Sequence, residues 1–263
     1  MKHLFLALAI VLMVSGAVRA ETACLLVAEA RSGEVLYQEG SGCEERIGPA
    51  STFKFPLGLI GFDAEVLVGP EQPAWPYQAH YPAVRAIEKE TTTPRSWMHH
   101  SVLWYSRALV RELGAERFAS YVADLGYGNA DVTGDPGAGN GLTHSWLNSS
   151  LQISPAEQLT FIRRFLVGNL PVSGQAAAST AAIMPHFETG GGWTLTGKTG
   201  TGYIKEADGR RGNRQFGWFV GWATGGDRTL VFSYLTKDET SGQSAAGPRA
   251  RDNLVSRWAD LLD

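Results

Sequence analysis

Strand-like runs stand at both ends of this chain and helix-like runs fill its middle, and one sheet assembled from both ends satisfies that pattern most simply. Residues 23–30 and 34–38 read as two strands around a turn at Arg31-Ser32-Gly33, within a strand-rich zone over 21–50. From 51 to about 187 the spacing is mainly helical. Arg107 to Leu113 and Ala115 to Leu125 carry apolar residues at helical intervals, punctuated by Gly114. Ser154-Pro155-Ala156-Glu157 is a capping box that opens a helix to about Val167, and Gln175 to Met184 forms another that stops at Pro185. Alternation returns from about 191, in Trp193 to Thr196, Phe216 to Ala223 and Thr229 to Tyr234, the last two joined by a hairpin turn at Gly225-Gly226-Asp227. Residues 249–262 close as a helix with Leu254, Trp258 and Leu261 on one stripe. The expected fold is α+β, an antiparallel sheet from both chain ends around a mainly helical middle, in one domain over 21–263.

The first twenty residues read as a cleavable secretory leader. Lys2 and His3 precede an apolar run from Leu4 to Val14, and Val18-Arg19-Ala20 is a small-x-small cleavage site. The alternatives are a membrane anchor, for which the run is shorter than the ~20 residues a bilayer requires, and a lipid attachment at Cys24, which follows polar Glu21 and Thr22. The mature chain is expected to be exported, to the periplasm, without stable membrane association. A net charge of -3 without a basic stripe argues against nucleic acid as a partner. Cys24 and Cys43 are the two cysteines, and pairing across the Arg31-Gly33 turn would bring them near each other. In an oxidising compartment a disulfide is the expected outcome, two free thiols the alternative. The six histidines, including adjacent His99 and His100, lack metal-ligand spacing, so no metal is expected.

Chemistry concentrates at Ser51-Thr52-Phe53-Lys54, just after the turn-prone Gly48-Pro49-Ala50. On a helix, positions i and i+3 share a face, so hydroxyl and amine would meet. A serine with a base in reach is an activated nucleophile. Lys198-Thr199-Gly200 lies far downstream in a strand-like context, and Ser101 opens a helix-like segment in between. The glycine-rich stretch 132–144 is a long loop of the kind that borders sites.

Serine, lysine, a second serine and K-T-G, in that order, are the active-site set of β-lactamases and penicillin-binding transpeptidases. With Ser101-Val102-Leu103-Trp104-Tyr105, Tyr127-Gly128-Asn129, Trp146-Leu147 and Gly217-Trp218-Phe219-Val220-Gly221-Trp222, nearly the whole mature chain resembles a class D serine β-lactamase, an oxacillinase. The resemblance implies hydrolysis of β-lactam antibiotics through an acyl-enzyme on Ser51. It implies that Lys54, neutralised by apolar neighbours, takes up carbon dioxide or bicarbonate as a carbamate and acts as general base. Trp146 and Phe53 would support that carbamate. Ser101 and Lys198 would pass a proton to the leaving nitrogen, and the N–H groups of Ser51 and Thr201 would hold the oxyanion. Thr199, Gly200, Thr201, Leu103 and an arginine would contact substrate; Arg249 resembles the family arginine, with Arg251 close enough in sequence to leave the choice open. No other cofactor is implied. Tyr127-Gly128-Asn129 reads as a structural loop at the cleft.

One departure is Leu103, where the family usually has valine; the extra methylene could crowd the lysine pocket. Two other functions share these motifs. A penicillin-sensing domain acylates once and holds the drug, and a peptidoglycan transpeptidase or carboxypeptidase turns over slowly; deacylation speed separates both from a β-lactamase. Substrate spectrum, which loops 85–100 and 205–215 would shape, and oligomeric state are not readable from the sequence.

Overall fold

A computed structural model describes residues 20–241 and 244–261. Residues 1–19 of the proposed leader lie outside that range, and Ala20 begins the first strand, opposite Asp238. The two terminal strand zones do join in one sheet. β1 (Ala20–Glu29), β2 (Val35–Glu39), β3 (His186–Glu188), β4 (Thr194–Lys205), β5 (Arg211–Gly225) and β6 (Arg228–Asp238) are ordered β2-β1-β6-β5-β4-β3. Every neighbouring pair is antiparallel. Central β5 and β6 are apolar on both faces because both faces are covered: Phe216 to Ala223 and Leu230 to Leu235 are all buried.

One face carries α8 (Ala246–Arg257), which presses Ala250, Leu254 and the following Trp258 onto Leu195, Phe219 and Phe232. It begins three residues before the expected start. The other face carries the helical middle: α1 (Lys54–Asp63), α2 (Pro94–His100), α3 (Leu103–Leu113), α4 (Ala115–Leu125), the single turn α5 (Gly141–His144), α6 (Pro155–Leu166) and α7 (Gly174–Ala182). The capping box at Ser154 forms as read, with Ser154 Oγ accepting from Glu157 N and the Glu157 carboxylate accepting from Ser154 N. Helix α1 is the hub. Lys54 to Phe62 are all buried, and Gly58 lets Thr180 of α7 and Met98 of α2 approach closely.

The helical expectation fails between α1 and α2. Residues 64–93 form an irregular excursion whose one helical element is the short 3-10 turn Ala86–Lys89. Pro70, Pro73, Pro76 and Pro82 remove donors at close intervals. Paired bonds between Trp75 and Thr92, the Tyr105 hydroxyl donated to Pro73 O, and the Tyr81–Trp104 stack hold it in place.

Cys24 of β1 and Cys43, beyond β2, are disulfide-bonded across 19 residues. The bond ties β1 to the loop that leads toward Ser51, and in that loop the Cys43 carbonyl accepts from Ala156 N at the start of α6. A loop of that length implies about 3 kcal/mol from restriction of the unfolded chain. Urea unfolding of a Cys24→Ala/Cys43→Ala variant is expected to show about that loss.

Candidate active site

Ser51 sits in a 3-10 turn, Ala50–Phe53, that runs directly into α1. Three residues per turn superpose positions i and i+3, so the turn stacks Lys54 over Ser51. The amine donates to Ser51 Oγ at 3.3 Å. Anchors fix the turn from several sides. Ala50 N–H donates to Trp146 O at 3.0 Å, the Trp218 indole to Gly48 O at 3.1 Å, and Thr52 Oγ1 to Pro49 O at 2.7 Å while accepting from Gln158 Nε2 at 2.9 Å. Ala50 is forced to φ 51, a left-handed conformation that L-residues avoid. Such strain persists only where the surroundings over-determine it.

Lys54 is 2% exposed. Burial, reinforced by the positive charges of Lys198 and Arg85, holds its pKa well below the ordinary lysine value; Glu88 opposes the shift and Arg107 adds a smaller push in the same direction. The wall is aromatic: Phe53 stacks on Trp146 at 5.6 Å and meets Phe118 and Tyr127 edge-on. The pocket therefore disfavours the charged form of an amine that lies beside a serine hydroxyl.

Ser101 ends α2 in the left-handed region (φ 59) rather than opening a helix, and α3 starts two residues later. Its hydroxyl accepts from Lys198 Nζ at 3.2 Å, and the same amine donates to Thr199 O at 3.1 Å. Burial first, then Arg85 and Arg251, bring the Lys198 pKa down to about 7. Arg85 carries no motif, and sequence reasoning passed it over. Its guanidinium bridges the Glu88 carboxylate and the His100 carbonyl, next to Ser101, and it adds positive potential at both lysines. The Arg-x-x-Glu spacing was the available signal for that pair.

K-T-G lies on β4 beyond the three-residue reach of β3. Gly197 N–H donates outward to Pro185 O, and the β4–β5 register is unbroken from Thr194 to Tyr203. Alternation therefore points the N–H groups of Thr199 and Thr201 out of the same open edge. Ser51 N–H likewise has no acceptor among the described residues. The two elements touch at Gly200, where a Cβ would lie 2.9 Å from Pro49 O and 3.1 Å from Thr52 Cγ2. A cavity of about 520 Å³ opens here, lined by Ala50, Leu103, Leu147, Thr201, Tyr203 and Arg211 among others. Leu103 is thus at the cleft.

The two candidate arginines diverge. Arg249 pairs with buried Asp238 of β6 at 2.6 Å. Arg251 lies over the Phe187 ring and lines a second cavity, of about 220 Å³, with Lys198 and Thr199. Thr201 Oγ1 accepts from Gly247 N at 2.9 Å, closing β4 onto α8. Tyr127-Gly128-Asn129 is scaffolding: Tyr127 is buried, and the Asn129 side chain bonds Ser150 O and Gln152 N, fixing the strand-like segment beside Trp146. The 132–144 loop borders the cleft through Asp135. Among the described residues no group of three or more His, Cys, Asp or Glu side chains is placed to hold a metal, and no helix is long and apolar enough to cross a membrane.

Comparison with known proteins agrees with this arrangement. Residues 23–255 match the penicillin-binding protein transpeptidase domain. The chain is 39% identical to β-lactamase OXA-9 of Klebsiella pneumoniae over 91% of its length and 88% of that protein's. It is 35% identical to β-lactamase OXA-1 of Escherichia coli, covering 89% and 82%. The crystal structure of the class D β-lactamase OXA-427 superposes with a TM-score of 0.85 at 43% identity, over 92% of this chain and 98% of that one. With a transpeptidase-type sheet, a serine–lysine pair on its central helix and relatives of this identity, the chain belongs to the class D serine β-lactamases.

Proposed function

We propose that this protein opens the lactam ring of penicillins, including oxacillin-type compounds, and of some cephalosporins, by way of an acyl-enzyme on Ser51, and so protects its host from them. The observation that carries the reading is the Ser51–Lys54 contact, with the amine buried and its charged form disfavoured. Ser51 Oγ attacks the lactam carbonyl and passes its proton toward Lys54. The N–H groups of Ser51 and Thr201 receive the developing oxyanion. Ser101 and Lys198 carry a proton to the lactam nitrogen as the C–N bond breaks. Thr199 and Lys198 meet the substrate carboxylate together with Arg251, which lines their cavity and among the described residues is paired only with exposed Asp252, whereas Arg249 is held by buried Asp238. The exported, single-domain reading over 21–263 fits the disulfide.

Lys54 suits carbamylation. A neutral amine is nucleophilic toward carbon dioxide, and the cations Lys198, Arg85 and Arg107 that disfavour an ammonium would favour an anionic carbamate. Such a group would supply a carboxylate-like base, held beside Trp146 and Phe53.

Steady-state hydrolysis of benzylpenicillin and oxacillin is expected to show multiple turnovers that rise with bicarbonate. Lys54→Ala should lower turnover about 10²–10⁴-fold and leave an acyl adduct on Ser51 visible by mass spectrometry. One stoichiometric burst from the unaltered protein would instead favour a penicillin sensor or a slow transpeptidase.

The free-enzyme pKa of Lys198, about 7, sets a pH expectation. Its proton is lost as pH rises through 7, weakening attraction for an anionic substrate. The kcat/KM profile, which reports free enzyme, should fall above about pH 7. The kcat profile should fall at higher pH, because bound carboxylate retains the proton.

Gly200→Ala inserts a methyl against Pro49 O and Thr52, separating β4 from the serine turn. A loss of about 10²-fold in kcat/KM is expected, the scale of one misplaced oxyanion donor.

A further inference from the structure

The cavity beside Ser51 ends on two cations that no step above uses. Lys205 and Arg211 face each other as directly paired residues at the tip of the β4–β5 hairpin, and both line that cavity. Like charges opposed across a ladder destabilise it. Neither makes an ion pair among the described residues, whereas neighbouring Arg210 is paired with Asp208. The Arg211 guanidinium is laid on the Tyr203 ring, 3.5 Å from its centroid, which holds it along the cleft wall. Of the acids nearby, Asp135 lines the same cavity and feels the charge of Lys205, but both of its carboxylate oxygens already hold hydrogen bonds, from Ser149 Oγ at 2.6 Å and Asn140 Nδ2 at 2.9 Å. Glu206 packs its carboxylate over Gly212.

Resting on the β-lactamase reading, we infer that Lys205 and Arg211 form a subsite for a second carboxylate, carried on the acyl side chain of a dianionic penicillin. The frame of β4 supplies the direction. The ring carboxylate belongs at Lys198 and Thr199, and the lactam carbonyl at Thr201. In a penicillin the carbonyl lies between the ring nitrogen, next to the carboxylate, and the carbon that bears the acylamino group. The acyl side chain therefore runs on past Thr201 toward Tyr203 and Lys205. At ~3.3 Å per residue, Lys205 lies about 13 Å beyond Thr201, a gap that the acyl chain and the two long side chains close from opposite ends.

Three penicillins on one skeleton test this: benzylpenicillin, carbenicillin with an α-carboxylate, and ampicillin with an α-ammonium. The readout is the ratio of kcat/KM for carbenicillin to that for each of the others. In Lys205→Gln/Arg211→Gln protein the carbenicillin-to-benzylpenicillin ratio should fall about tenfold, as expected of two partly exposed charge pairs at about 1 kcal/mol or less each. The carbenicillin-to-ampicillin ratio should fall further, and in the unaltered protein both should decline with added salt. Each single variant should give a partial fall, and a melting temperature within a few degrees of the parent shows that the hairpin is intact. Equal losses on all three substrates, or ratios that do not move, would overturn the subsite while leaving the β-lactamase reading intact. Absence of turnover on benzylpenicillin would strike that reading instead; calorimetric titration of Ser51→Ala protein with carbenicillin and benzylpenicillin then decides the subsite by the same ratio.

Discussion

An amine buried without a carboxylate to neutralise it is the constraint around which this active site is arranged. Lys54 is 2% exposed, at the head of a helix whose residues from Lys54 to Phe62 are all buried. A protonated ammonium there would cost several kcal/mol. The molecule resolves that cost by lowering the pKa, and it places Lys198, Arg85 and Arg107 where they push in the same direction. What would be a defect in a structural core is here what the proposed chemistry requires of Lys54. The hydroxyl of Ser51 is the group left in contact with it.

A base of this kind is useful only if the serine cannot drift, and the fold holds the residues beside the reacting groups in strained conformations. Ala50 and Ser101 both lie in the left-handed region, at roughly 1–2 kcal/mol each for residues with a Cβ. Each is held from outside its own segment. Ala50 is tied to Trp146 O, and the chain before it to Trp218. The residues flanking Ser101 are tied through the His100 carbonyl to Arg85 and through Val102 N to Trp97 O. Strand β5, helix α2 and the 64–93 excursion thus fix, by hydrogen bonds, the backbone that carries the two hydroxyls.

This explains which parts were legible in the sequence. Periodicity and capping revealed α3, α4, α6, α7 and the terminal strands, because each depends on its own residues. The serine–lysine contact was legible for the same reason, since a local turn stacks i on i+3. The 64–93 excursion was not, because its shape comes from aromatic contacts with α3 that no local pattern encodes. Arg85 lies on that excursion and was hidden with it. Arg249 and Arg251 stand two residues apart, about 200° around α8, and so leave it on opposite sides. One side faces β6 and Asp238, the other β3 and Lys198; the roll of the helix on the sheet decides, and long-range contacts set that roll: Ala250, Leu254 and Trp258 against Leu195, Phe219 and Phe232, and Gly247 N on Thr201.

Strand β4 shows how a hazard becomes a binding surface. From Lys198 onward its outer edge is unpaired, and an open edge of that length ordinarily invites another strand. Two features block it. The Ser51 turn is packed so close to Gly200 that no side chain would fit there, which crowds an incoming strand. Lys205 and Arg211 charge the far end. Between these guards the N–H of Thr201 stays available, and a small acyl group, unlike a strand, fits the gap. The edge that could aggregate is thereby made selective for size. Cations stand at both ends of that edge, Lys198 with Arg251 and Lys205 with Arg211, and in the proposed reading they would add a second selection, for negative charge on either flank of the lactam carbonyl.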